Sequence, residues 1–130
     1  MQKQTIDALS GTLVPVLLGS SRKALQSARS CFRTYGVLSH LFSARLSFFY
    51  RLYPAIRLHR IPSTRDEALL LQALLDFAKQ FENADRLLYL IPCTAFYKHF
   101  VASHKAELER FFVITDADRL SPTEGQEVFS

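Results

Sequence analysis

Two short polar stretches hold the residue types best suited to chemistry, and each directly follows an apolar run. They are Gly19, Ser20, Ser21 and Arg22, and then Pro92, Cys93 and Thr94. A helix that starts just after such a stretch leaves backbone N–H groups without partners, and together with the helix dipole these favour an anion. Arg22 adds a charge-assisted hydrogen bond to the same guest. The chemistry on offer is therefore the holding of a carboxylate or phosphate, with Cys93 a candidate thiolate at a helix start. Plainer roles stay open: Ser20 and Ser21 as helix caps only, Arg22 as a solvated first-turn residue, Cys93 as a buried and inert thiol. His99 and His104 follow Cys93, but spacing does not pair either with it as a base.

The elements that must position these residues are legible around them. Leu13 to Leu18 is a short apolar run fit for a strand covered on both faces, and Gly19 ends it. From Arg22, the residues Ala24, Leu25, Ala28, Cys31, Phe32 and Tyr35 fall on one helical face, and Gly36 supplies a left-handed stop. The segment VLSHLF after it is a second strand. AIRLHRI, bracketed by Pro54 and Pro62, alternates apolar and polar residues as a half-exposed edge strand does. Thr64 and Glu67 have capping-box spacing ahead of a helix whose inner face is Leu70, Leu71, Leu74, Phe77, Ala78 and Phe81. Arg86 to Ile91 is another interior strand, followed by a helix over Ala95 to Ser103, a short charged helix from Lys105 to Arg110, and FFVIT as a fifth strand candidate.

Two interior apolar runs that each lead into an amphipathic helix predict a three-layer, Rossmann-like α/β fold. Its parallel sheet has strand order 3-2-1-4, with a possible fifth strand and helices on both faces. In that order the topological switch lies between strands 1 and 4. Ligands of open α/β sheets bind outside the carboxyl ends of the strands there, so the two polar stretches come to face each other. The domain expected is residues 13–115, after a lead-in of 1–12 and before a surface tail of 116–130.

Composition narrows the function classes. At 130 residues and 48% hydrophobic content, the chain suits one domain with a two-sided core. Residues 1–65 carry ten Lys/Arg against Asp7 alone, whereas residues 66–130 carry six against eleven Asp/Glu, for a net charge of +4. The arginines are scattered over several elements without a recognised binding motif, so no nucleic-acid partner is expected. The interleaved arginines and aromatics of Ser43 to Tyr53 suit either stacking on single strands or packing under a loop. No apolar run is long enough to span a bilayer and no signal-peptide core precedes Leu13, so no membrane association is expected. Two distant cysteines outside any CxxC pair predict a reduced, cytoplasmic protein.

Familiar catalytic motifs are missing. The loop has Gly19 alone where a dinucleotide fold carries G-x-G-x-x-G, and no acidic residue ends strand 2 to hold a ribose. No G-x-S-x-G elbow, Walker loop or H-E-x-x-H is present. Asp116 and Asp118 are a close carboxylate pair, read as a solvated turn.

The run VPVLLGSSRKALQSARSCFRTYGVLSHLF, with the later LLYLIPCTAFYKHFVASHKAELERFFVI, resembles the N-terminal, or pre-ATP-grasp, domain of bacterial ATP-grasp carboxylate-amine ligases, those similar to D-aspartate ligase among them. The most telling pieces are P-V-L-L-G-S, A-R-S in the first helix, the Y-G that closes it, and L-I-P-C, and the similarity covers about residues 13–115. The resemblance implies a family activity in which ATP converts a carboxylate to an acyl phosphate that an amine then attacks. It also implies that the ATP and magnesium ligands lie in later subdomains, so this chain alone would bind no cofactor and have no catalytic residue. The tail SPTEGQEVFS does not look like the family's next helix.

Three expectations follow from the resemblance. The chain forms one wall of an acceptor-substrate cleft, it is inactive by itself, and its partner is the missing ATP-grasp subdomains or another chain. Phe48, Phe49, Tyr50, Tyr53, Phe96 and Tyr97 exceed what the core requires and are expected on the partner surface. The competing reading is a stand-alone Rossmann-like module for small-molecule binding or protein interaction.

Overall fold

The computed structural model describes residues 12–44, 55–61, 66–82 and 84–115. The apolar runs form a five-stranded, wholly parallel sheet in the order β3-β2-β1-β4-β5. Its strands are β1 (Leu13–Leu18), β2 (Ser39–Ser43), β3 (Ile56–Arg60), β4 (Leu87–Pro92) and β5 (Val113–Ile114). Among the described residues four helices accompany them: α1 (Arg22–Tyr35), α2 (Glu67–Lys79), α3 (Ala95–Ser103) and the single turn α4 (Lys105–Leu108). This is the expected Rossmann-like α/β architecture, with β5 as a genuine fifth strand.

The two faces of the sheet have separate cores. Leu17, Leu41, Ile56, Ile91 and Cys93 point to α1, where Ala24, Ala28 and Cys31 close over them. Val14, Val16, Leu18, Phe42 and Leu90 point the other way and meet Leu70, Leu74 and Phe77 of α2 and Tyr97, Phe100 and Val101 of α3. Alternate residues of each strand thus feed alternate layers, and β1 is buried along its whole length because both layers cover it. Four large side chains of the inner faces, Leu17, Leu18, Leu90 and Phe100, are completely buried. Each contributes roughly 1.5 to 3 kcal/mol before conformational entropy is counted.

Gly36 ends α1 in the left-handed conformation at φ 70°, and its N–H donates to the Phe32 carbonyl at 2.9 Å. Three expectations need correction. Phe32, which shares a helical face with Ala24, Ala28 and Cys31 in the sequence pattern, is 49% exposed, and Ser27 is buried against the sheet instead. A small residue lets the helix approach the sheet, whereas Phe32 lies on a flank where no described helix packs. The helix start at Thr64 gives way to Asp66, whose carboxylate accepts from the N–H groups of Ala68 and Leu69. An N-cap immediately before the first apolar turn wins over the capping-box spacing, and Thr64 itself lies outside the described residues. Tyr97, expected on a partner surface, is buried, while Phe96 next to it is exposed.

The aromatic stretch containing Phe48, Phe49, Tyr50 and Tyr53, the lead-in 1–11 and the tail 116–130 with Asp116 and Asp118 lie outside the described residues. Among the described residues, no helix is long and apolar enough to cross a membrane.

Candidate functional site

The carboxyl ends of β1, β2 and β4 are tied together by backbone and hydroxyl bonds at the switch point. The Gly19 N–H donates to the Phe42 carbonyl at 2.9 Å, and the Cys93 N–H donates to the Leu18 carbonyl at 2.9 Å. Gly19 has φ 98°, which L side chains rarely adopt, and a Cβ there would meet Thr94 Cγ2 and Tyr97 Cδ2 at 2.8 Å. The glycine is thus required twice, for its backbone and for the close seating of α3 against the β1 loop.

The serines divide the two roles left open for them. Ser21 is the N-cap of α1, accepting from the Ala24 N–H at 3.2 Å, and its hydroxyl also donates to the Cys93 carbonyl at 3.2 Å. Ser20 turns toward β2 and shares a hydrogen bond with the Ser43 hydroxyl at 2.7 Å. Thr94 caps α3 by accepting from the Tyr97 N–H at 3.3 Å. Two helix N-termini therefore converge on one end of the sheet, each with a hydroxyl on its first turn.

An open cleft of about 300 Å³ lies there, lined by Gly19, Ser20, Ser43, Ala44, Thr94, Phe96 and Tyr97. Of the expected site residues, Gly19, Ser20 and Thr94 come together in it. Ser21 is spent on the cap and the Cys93 carbonyl, and Arg22 is exposed without lining the cleft. Pro92 is buried and lines a different cavity, of about 420 Å³, with Lys98, Val101, Ala102, Lys105, Ile114 and Thr115.

Cys93 faces the α1 core, and its thiol donates to the Ile91 carbonyl at 3.4 Å. Burial pushes its pKa up to about 12, so the neutral, inert thiol is the form present. No base is brought to it from downstream, since His104 is held by Glu67 at 3.0 Å and His99 is exposed on α3.

Ser43 and Tyr97 were missing from the sequence reading of this site. Ser43 ends β2, and parallel pairing of β2 with β1 in the observed register sets it beside the loop after β1. Strand order puts the end of β2 beside that loop, and the register decides that Ser43 is the residue there. Tyr97 stands one turn into α3, over Gly19. Its hydroxyl is buried and makes no hydrogen bond of good geometry. Burial raises its pKa, and the adjacent Ser43 hydroxyl opposes the shift. The cleft can thus offer the hydroxyls of Ser20, Ser43 and Thr94 to a polar guest, beside the exposed ring of Phe96, while the buried Tyr97 hydroxyl lies behind its wall.

Among proteins of known function, the chain is similar to D-aspartate ligase of Enterococcus faecium (strain Aus0004), with 25% identity over 101 residues. The match takes in 77% of this chain and 24% of the ligase, so the chain spans about a quarter of the length of that relative. No protein-family profile matches the chain, and no solved structure matches it. The similarity is a distant link to a ligase, carried on a Rossmann-like α/β domain.

Proposed function

We propose that this chain is, or descends from, the N-terminal, substrate-side domain of an ATP-dependent carboxylate-amine ligase. In this reading it forms one wall of the acceptor-substrate cleft, and ATP-grasp subdomains supplied elsewhere carry out the transfer. The observation that carries the reading is the similarity to D-aspartate ligase over 77% of the chain. The switch-point cleft supports it, because a small amino acid presents the carboxylates that converging helix N-termini and hydroxyls favour.

In this reading ATP and magnesium are held by the subdomains supplied elsewhere, where phosphoryl transfer finds its positioned cations. What the chain's own residues do is bind and orient: Ser20, Ser43 and Thr94 offer hydroxyls, and Phe96 and Tyr97 wall off one side.

The test is a titration of the isotope-labelled full chain with D-aspartate, followed by amide NMR, with L-aspartate and inorganic phosphate as comparators. Saturable shifts confined to the amides of Gly19, Ser20, Ser43 and Thr94, and lost in Ser43→Ala, are expected for D-aspartate. Absence of such shifts with all three compounds overturns the substrate-side role.

A further inference from the structure

β4 reaches further than its neighbour β5. Val113 and Ile114 pair with Tyr89 and Leu90, and the Thr115 N–H donates to the Leu90 carbonyl at 3.1 Å. Among the described residues β4 then runs on to Pro92 along β1 alone. The step left at the carboxyl end of β4 opens into the cavity of about 420 Å³, which is larger than the switch-point cleft of about 300 Å³. Sites for small molecules span about 300 to 1,000 Å³.

The opposite wall is one side of α3 and the start of α4. Lys98 and Ala102 stand four residues apart with Val101 beside them, so they share that side of the helix. Pro92 and Val101 are buried and Ile114 is half-buried, which gives the cavity an apolar floor. Ala102 is exposed at its edge, and its single methyl leaves room that a longer side chain would fill. Apolar surface held in a concave site favours a guest with an apolar body.

Charge decides the rest of the guest. Lys98 and Lys105 both line the cavity, and among the described residues no Asp or Glu does. Lys98 forms no ion pair with a carboxylate of the described residues. Lys105 meets Glu109 at 3.9 Å, but both side chains are well exposed, and a pair of that kind is weak enough to yield to a better-placed anion. The Thr115 hydroxyl adds a neutral donor at the rim. A cation would face two ammonium groups, and a bare inorganic anion would leave the apolar floor wet. A guest with an anionic head and an apolar body satisfies both walls.

We propose that this cavity binds a small organic carboxylate with an apolar body. The carboxylate lies toward the ammonium groups of Lys98 and Lys105, and the body rests on Val101, Ala102 and Ile114. The site is separate from the switch-point cleft, because α3 lends Phe96 and Tyr97 to the cleft and Lys98, Val101 and Ala102 to this cavity. It stands or falls independently of the ligase reading.

Phenylbutyrate is the probe, titrated into the isotope-labelled full chain and followed by amide NMR. Saturable shifts are expected at Lys98, Ala102, Lys105, Ile114 and Thr115, with Gly19 and Ser20 unmoved. Phenylbutylamine, which has the same body and a positive head, and acetate, which has the head alone, should each bind at least about tenfold more weakly. Lys98→Glu combined with Lys105→Glu, and separately Ala102→Leu, should each weaken phenylbutyrate binding by about tenfold or more. All three positions are exposed, so the far-ultraviolet spectrum should stay that of the wild type. Absence of saturable shifts, equal affinity for the amine, shifts centred on Gly19 and Ser20, or unchanged binding in Ala102→Leu overturns the proposal. So does binding that appears only in Asp116→Asn combined with Asp118→Asn, which would assign the two lysines to the chain's own carboxylates.

Discussion

The Ser21 hydroxyl donates to the carbonyl of Cys93 at 3.2 Å, joining the first turn of α1 to the end of β4 across 72 positions of sequence. The same oxygen accepts the Ala24 N–H, so one side chain caps a helix and ties two loops. Ser21→Ala removes both interactions. The expected loss is about 1 to 3 kcal/mol of unfolding free energy, from a lost cap and a carbonyl left with one partner fewer. Ser21→Asp keeps the acceptor but cannot donate to Cys93, so it should fall between alanine and wild type in urea unfolding. If alanine and wild type unfold at the same urea concentration, the tie contributes nothing.

Gly19 is expected to be the least replaceable residue of the cleft. Gly19→Ala puts a methyl 2.8 Å from Thr94 Cγ2 and Tyr97 Cδ2 at a φ of 98°. Backbone strain of about 1 to 3 kcal/mol adds to the displacement of α3. Tyr97→Ala opens space for the methyl but leaves the strained φ, so in combination with Gly19→Ala it should recover part of the loss. A Gly19→Ala protein with wild-type thermal stability would show that the loop relaxes freely.

Both cysteines should be unreactive in the native protein. Burial pushes Cys31 up to about 11 and Cys93 up to about 12. At pH 8 the thiolate fraction is then roughly one in a thousand or lower, and little of it is accessible. Iodoacetamide at pH 8 should label neither residue within the time that labels both in concentrated urea. Rapid native labelling of Cys93 would restore the nucleophile reading.

The gap between sequence and structure follows particular residues. Strand β1 was legible because burial on both faces leaves an uninterrupted apolar run, and β4 because its run stays apolar although Leu87 is exposed and Tyr89 half-buried. Strand order followed from the direction of the connections, and with it the meeting of the Gly19 and Thr94 loops. What periodicity could not supply was the breadth of the cover over each face. It therefore counted Phe32 as core and overlooked Ser27, since a 3.6-residue period does not say where a neighbouring helix is absent. Ser43 and Tyr97 were missed for a related reason: their roles depend on register and on the seating of α3.

The last prediction concerns acid. His40 Nδ1 and His59 Nε2 lie 2.9 Å apart on neighbouring strands, a spacing that requires one ring to donate and the other to accept. Phe42 stacks on His59 with centroids 4.5 Å apart, and Phe77 of α2 packs edge-on against it. The charged groups near the pair are Arg57, on β3, and Arg86, which lines the same cavity as His40. Burial first, then His59 and Arg57, lower the pKa of His40 from 6.5 to about 4, and burial lowers that of His59. A lowered folded-state value means that the unfolded chain binds protons the native chain refuses, so stability is full above about 6.5 and falls as pH drops toward 4. Urea midpoints measured from pH 7 to pH 5, above the range where most carboxylates titrate, should therefore decline. His40→Gln combined with His59→Gln should flatten that slope while lowering stability at pH 7, since the packing against Phe42 and Phe77 is lost. A double variant that keeps the wild-type slope would assign the acid sensitivity to other groups.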